Sequence, residues 1–296
     1  MKKIDFIYPT TQTSRYHPII TPLPFCSFPI VSIAFFVWFL GLLKKNRTFA
    51  AKISFSINYM HLSKAQIKWV RSLQQKKNRD AEGVFVAEGE KCVNELRDAF
   101  ELVLLATNDN ATSTEIQQMS SLRTPQGMIG VFKRVERGEL RVEMPNLLLA
   151  LDGVQDPGNL GTIIRTCDWF GIHDILCSRD TADCYNPKVV QATMGALARV
   201  RVHYVDLPEI LAAYRDQGTP LYGTLLEGRN MYEAGAIPNK KEGVIVMGNE
   251  GKGISKAIRT LITHPLLIPS YPVGEATSES LNVGIATAIV LAEFRR

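Results

Sequence analysis

The sequence predicts an α/β protein whose larger part is a mostly parallel sheet with helices on both faces, preceded by a smaller α/β domain. Two observations carry that reading. From Leu147 to the C-terminus, short apolar runs of strand type alternate with stretches whose apolar residues recur at helical spacing. From Met60 to Phe132 the same alternation recurs on a smaller scale.

The elements follow in order. Met60 to Arg79 hold six basic residues, Lys64, Lys68, Arg71, Lys76, Lys77 and Arg79, and no acid. A helix beginning at Ser63 puts Lys64, Lys68 and Arg71 on one side, with Ile67, Val70 and Leu73 elsewhere around it. A solvated helix face and an RNA-phosphate contact through Lys64, Lys68, Arg71, Lys76 and Lys77 both fit this pattern. Gly83 to Gly89 reads as a strand and turn, Cys92, Val93 and Leu96 as one face of a helix, and Leu102–Ala106 and Gly127–Phe132 as strands. Residues 60–136 thus form the small domain, and the polar stretch 137–146 reads as a linker to residues 147–296.

In the larger part, Leu147–Leu151 is a buried-type strand and 155–159 a loop. Leu160, Ile163, Ile164 and Cys167 give one face of a helix that Gly171 stops. Asp174–Cys177 is the next strand, and Asn186-Pro187 caps a helix expected to run through Val190, Met194 and Leu197. Further strands are expected at 200–205, 221–225, 243–247 and 266–268. The last helix, Asn282 to Arg296, is apolar around most of its circumference, the pattern of a buried helix or a subunit interface.

Residues 1–59 are of another kind. They carry seven basic residues against Asp5 alone, so the chain's net +5 leaves residues 60–296 at −1, and global basicity is no argument for a nucleic-acid partner. The apolar run from Ile30 to Leu43 resembles a membrane anchor, but Pro18, Pro22, Pro24 and Pro29 break its approach and the unbroken part falls short of a bilayer span. The segment reads as a non-globular or spurious extension, translated upstream sequence, to a protein expected in the cytoplasm, with a membrane anchor or an ordered accessory segment as the alternatives. The five cysteines form no CxxC pair and the five histidines no HExxH cluster, so no disulfide framework or metal site is expected.

Ligands of open α/β sheets bind beyond the carboxyl ends of the strands. Three loops there are rich in glycine, asparagine and other polar residues: Gln155 to Arg165, Met247 to Ser255, and Ile268-Pro269 followed by Ser278 to Val283. None contains GxGxxG, and Val246 stands where a Walker A motif needs glycine, so a nucleotide-phosphate fingerprint is missing.

The set of Asn159 with Arg165, Gly248-Asn249-Glu250-Gly251, and Ile268-Pro269 with Ser280-Leu281-Asn282-Val283 resembles the three motifs of the SpoU (TrmH-like) RNA 2′-O-ribose methyltransferases, in order. Gly284 departs from the serine common there. Met60 to Phe132, with Phe85-Val86-Ala87-Glu88-Gly89 and Thr124-Pro125-Gln126-Gly127, is similar to the small substrate-binding domain that often precedes such an enzyme. The resemblance implies a trefoil-knotted sheet, S-adenosylmethionine as cofactor, rRNA or tRNA as substrate and a homodimer built through the knotted domain. It implies that Gly248, Ile268 and Leu281 contact the cofactor, with Thr224 a weaker candidate, and that Arg165 acts at the ribose hydroxyl. On the same pattern Asn159 orients the ribose or Arg165, Glu250 fixes its loop or pairs with Arg165, and Ser280 and Asn282 bond substrate and the knot's ends. Ser280 is equally well read as a helix N-cap. An arginine is a poor proton acceptor, so Arg165 as general base competes with Arg165 as a phosphate clamp. A catalytically silent RNA-binding protein and an unrelated nucleotide-binding enzyme are the competing functions.

Overall fold

The structure is a computed structural model and describes residues 61–135, 147–272, 275 and 278–296. The expectations about residues 1–59 and the linker lie outside the described residues. Among the described residues no helix is long and apolar enough to cross a membrane.

The first helix, α1 (Lys64–Ser72), opens with a capping box: the Ser63 hydroxyl accepts from the Gln66 N–H while the Gln66 side chain accepts from the Ser63 N–H. Ile67 and Val70 are buried and Lys64, Lys68 and Arg71 exposed, as their spacing predicts. The elements α2 (Lys76–Glu82), β1 (Val84–Glu88), α3 (Glu90–Arg97), β2 (Leu102–Thr107), α4 (Ser113–Met119) and β3 (Met128–Lys133) follow. Sequence reading did not separate α2 or α4, whose main signal is the capping box between Thr112 and Glu115. Strand β3 lies between β1 and β2, antiparallel to both.

Successive strand residues point to opposite faces. Val84, Val86, Ile129 and Val131 therefore pack on α1 and α4. Phe85, Ala87 and Phe132 face the other way and join α3 in a core continuous with that of the larger part. Full burial of a side chain such as Phe85 contributes about 2–3 kcal/mol.

The larger part runs β4 (Leu148–Leu151), α5 (Pro157–Trp169), β5 (Asp174–Cys177), α6 (Pro187–Thr193), a 3-10 turn (Ala196–Ala198), β6 (Arg201–Tyr204), α7 (Leu207–Asp216), β7 (Leu221–Asn230), β8 (Val244–Met247), α8 (Lys256–Arg259), β9 (His264–Leu267) and α9 (Val283–Arg295). The strands stand in the order β6-β5-β4-β8-β7-β9, every neighbouring pair parallel. Leu149, Leu151, Ile175 and Met247 face α5, α6 and α9, whereas Leu148, Ala150, Leu176 and Val246 face α7 and α8. Helices on both faces of a parallel sheet are thus observed.

Two local readings are corrected. The helix expected to run through Met194 and Leu197 ends at Thr193, where Met194 (φ 52°) and Gly195 (φ 93°) turn left-handed. Glu95 fills the space a Cβ on Gly195 would need, with 2.5 Å to its own Cβ, so the chain must turn under α3. Strand β7 extends to Asn230 because Gly228 lies against the Leu266 backbone, where a Cβ would sit 2.5 Å from the carbonyl carbon. Helix α9 keeps one apolar side uncovered in the single chain, with Ile285 and Ala292 exposed and Ala288 and Ile289 half-buried.

After β4 the chain builds outward through β5 and β6, then crosses to place β8 against the other side of β4. The order of connection reverses there. A crevice opens at such a switch point beyond the carboxyl ends of the two strands.

Candidate active site

Two of the three polar loops leave β4 and β8, so the switch point brings them face to face. Asp156 caps α5 by accepting from the Asn159 N–H at 2.8 Å, and Pro157 takes the first helical position, where no donor is needed. Across the crevice the Glu250 carboxylate accepts from the Asp156 N–H at 3.1 Å, the Gln155 N–H at 3.3 Å and the Asn159 side-chain amide at 3.0 Å. Burial alone raises the pKa of Glu250, but these bonds outweigh it and hold the carboxyl below the usual glutamate range.

The third loop reaches the same point. Asn282 Nδ2 donates to Asn159 Oδ1 at 2.9 Å, and Asn282 Oδ1 accepts from the Gly284 and Ile285 N–H groups at 2.9 and 3.3 Å. Asn282, and not Ser280, is therefore the N-cap of α9. Glu250, Asn159 and Asn282, separated by up to 123 positions, form one hydrogen-bonded series.

Arg165 lies two turns along α5 from Asn159, exposed. Among the described residues no carboxylate pairs with it, so the expected alternative of a Glu250–Arg165 pair is not observed. Ser280 is exposed and outside the Glu250–Asn159–Asn282 series. The five basic candidates lie on α1 and α2, apart from this series; all are exposed, and Lys76 is paired with Asp80 at 2.6 Å.

Asn249 was missed by sequence reading. Its Nδ2 donates to Gly153 O at 2.6 Å, and its Oδ1 accepts from the Gly251 and Lys252 N–H groups, both at 3.0 Å. The signal is an asparagine opening a glycine-rich turn, the residue type that bonds its own backbone two or three positions on. Gly248 beside it cannot carry a side chain: a Cβ would fall 2.2 Å from the Gly253 carbonyl carbon.

The candidate cofactor residues stand at the same end of the sheet. Thr224 and Gly248 stand at or beyond the carboxyl ends of the parallel run of β7 and of β8, and Ile268 follows β9. Thr224 Oγ1 lies 3.5 Å from Val246 O, Ile268 is half-buried against the core, and Leu281 is half exposed ahead of α9. This set offers backbone groups, one hydroxyl and apolar surface, with no charged side chain. Its chemistry fits a neutral adenosyl group held largely by main chain. Among the described residues, Cys92, Cys167 and Cys177 are poor nucleophiles: burial raises the pKa of Cys167 and Cys177, and that of Cys92 to about 11.

Comparison with known proteins shows what the chain is similar to. Residues 146–292 match the SpoU rRNA Methylase family, and residues 64–124 the MRM3-like substrate binding domain. The chain is 29% identical to the 23S rRNA (guanosine(2553)-2′-O)-methyltransferase of Bacillus subtilis, over 78% of this chain and 96% of that protein. Among solved structures it is similar to a protein assigned to the TrmH family of RNA methyltransferases from Porphyromonas gingivalis, with 41% identity and TM-score 0.71 over 79% of this chain and 98% of the other. An AdoMet-bound rRNA methyltransferase from Sinorhizobium meliloti is 28% identical, with TM-score 0.70 over 80% and 96%.

Proposed function

Since the chain belongs to the SpoU rRNA Methylase family, we propose that it transfers a methyl group from S-adenosylmethionine to a ribose 2′-hydroxyl of RNA. The observation that carries this reading is the Glu250–Asn159–Asn282 series, which joins all three polar loops, with Arg165 six residues further along α5 and, among the described residues, paired with no carboxylate. When bound, S-adenosylmethionine would supply an electrophilic methyl carried on a sulfonium, with a neutral thioether as its leaving group. The residues then have distinct tasks. Gly248, Thr224, Ile268 and Leu281 hold the adenosyl group, with Gly248 keeping the backbone open. Glu250 is a positioning residue that ties the β8 loop to the start of α5. Asn159 and Asn282 align the crevice. Arg165, free of any carboxylate, grips the phosphate next to the target ribose through two parallel hydrogen bonds, and the proton passes to that phosphate or to water. Alignment of this kind supplies up to about 7–11 kcal/mol of barrier reduction.

Ribosomal RNA is the substrate we infer, because a relative that this chain covers almost end to end is named a 23S rRNA methyltransferase, and a cytoplasmic location is inferred along with it. Residues 60–136 then serve as the substrate-binding domain, with Lys64, Lys68, Arg71, Lys76 and Lys77 among its phosphate contacts, and residues 147–296 as the methyltransferase domain. We also infer the trefoil-knotted threading of that domain and a homodimer. Support for the dimer is the uncovered side of α9, where Ile285 is 53% exposed; Trp169, on the neighbouring α5, is 85% exposed. Ile289→Glu should yield monomers by sedimentation and lose activity.

The deciding experiment incubates the protein with labelled S-adenosylmethionine and either 23S rRNA or tRNA, then digests with alkali. Ribose methylation leaves the label in an alkali-resistant dinucleotide, whereas label on a mononucleotide base refutes the reading. Arg165→Ala should lower kcat by roughly a hundredfold or more, the scale of losing a group that acts on transition-state charge. Cofactor affinity, read by calorimetry, should stay within a few fold.

A further inference from the structure

The motifs Phe85 to Gly89 and Thr124 to Gly127 take no part in the chemistry above, yet the fold brings them together. Because β3 is antiparallel to β1 and β2, the segments leaving β1 and β2 and the segment entering β3 meet at one end of the small sheet. There Glu88, 4% exposed, accepts hydrogen bonds from the Ser120 hydroxyl, from the Ser121 N–H at 2.7 Å and from the Ser121 hydroxyl at 2.6 Å. Gly89 (φ 89°) carries no side chain because Gln126 lies across it, its Oε1 2.0 Å from where a Cβ would stand. Gln74 of the α1–α2 turn donates to Met119 O at 3.3 Å and Ser120 O at 3.0 Å.

A carboxylate is costly to bury, and an apolar residue would serve a core position at no such cost. All three of its bonds go to one segment, which then presents Ser121, Arg123, Thr124 and Gln126 to solvent. Among the described residues Arg123 has no ion pair, and neither has Lys77 just past the α1–α2 turn. The segment is also tied to the catalytic crevice. Arg79 donates to Gln74 O at 2.9 Å and pairs with Asp183 at 2.7 Å in the β5–α6 connection. In that connection Ser178 accepts from Gly153 N–H, and the Gly153 carbonyl accepts from Asn249.

We propose that residues 120–127 form an RNA-gripping loop, in which Arg123 contacts substrate phosphate and Glu88 is the positioning residue that presents it. The inference rests on the RNA methyltransferase reading and assigns that reading a substrate contact outside the basic face of α1.

The test measures binding and methylation of a 23S rRNA transcript by the full chain. Arg123→Ala should weaken RNA binding about tenfold and reduce the slope of log Kd against log salt by about one, the loss of one phosphate contact, with kcat at saturating RNA and cofactor affinity unchanged. Glu88→Gln, whose amide cannot accept all three bonds, should weaken binding comparably. Because Glu88 acts through Arg123, the double variant should bind within twofold of Arg123→Ala. Binding by Arg123→Ala within twofold of wild type overturns the proposal, and so does full additivity of the two losses, the signature of a merely structural Glu88. Where wild type methylates RNA while Arg123→Ala is indifferent, this inference alone falls. Where wild type methylates neither 23S rRNA nor tRNA, the methyltransferase reading falls and takes the inference with it.

Discussion

A carboxylate only accepts hydrogen bonds and a backbone N–H only donates, and between these two ends the side-chain amides of the crevice have no freedom of orientation. Glu250 forces Nδ2 of Asn159 toward itself, so Oδ1 of Asn159 faces Asn282. The N–H groups of α9 force Oδ1 of Asn282 toward the helix, leaving its Nδ2 for Asn159. Every donor in the series therefore runs from α9 toward Glu250. Asn159→Asp reverses this by setting two carboxylates about 3 Å apart, which cannot both ionise cheaply. Its activity at neutral pH should be at least tenfold below wild type and should recover partly as pH falls toward 5, where one proton is shared. Asn159→Ala should show no such recovery in the same pH–rate profile. The types and intervals of these residues are legible in the chain, but their mutual bonds are not, because each bond spans about a hundred positions.

Helix α5 is the element on which the site is built, and three neighbours hold it. Its buried side carries Leu160, Ile163, Ile164 and Cys167 to the sheet. On one flank α9 runs alongside in the same direction, Asn282 meeting Asn159 and Arg295 donating to Phe170 O at 2.8 Å. On the other, Gly161 allows α6 to approach so closely that a Cβ would stand 2.4 Å from the Ala192 Cβ and 2.9 Å from Val189 O. Gly161→Ala should then cost stability despite alanine's better helix propensity, by about 1–3 kcal/mol of overpacking, read by chemical denaturation. Stabilisation by this substitution would show that the helices part without penalty. Helical spacing alone reveals the buried side of α5. It is silent on Gly161, which looks like a weak point in a helix until its neighbour is known.

At the scale of the whole molecule, the two sheets are joined by a shared core and by Arg79, 1% exposed, paired with Asp183. Tyr185 is held beside it, its ring 4.8 Å from that of Phe85 and 4.9 Å from the Arg134 guanidinium. Asp183→Ala leaves a buried guanidinium without its counter-charge, and stability should fall by about 3 kcal/mol or more in denaturant titration. The pH dependence has a definite sign. Asp174 is raised by burial but lowered further by its bonds to His203 and Arg201, and Glu250 and Asp80 are likewise held low. Carboxyls with depressed folded-state pKa stabilise fully above their unfolded values, about 4, and lose that contribution as pH falls through the folded ones. Denaturation midpoints should thus be level from about pH 5 to 8 and decline only below about 4.

The sequence by itself determined the strands of the larger part, with β7 cut short, the starts of α5, α6 and α9, the buried side of α5, and the three polar loops with Asn159, Arg165, Glu250 and Asn282; it did not separate α7 and α8. These are local facts, set by side-chain periodicity, cap chemistry and turn chemistry. Tertiary structure decided what those facts meant. The insertion of β8 between β4 and β7 faces the first loop with the second, and the close contact of Glu95 with Gly195 ends α6 early. The cap of α9 falls on Asn282 because Ser280 stops short of the helix. Each outcome depends on a contact between distant segments, and the free energy of such a contact depends on where the whole sheet places its partners.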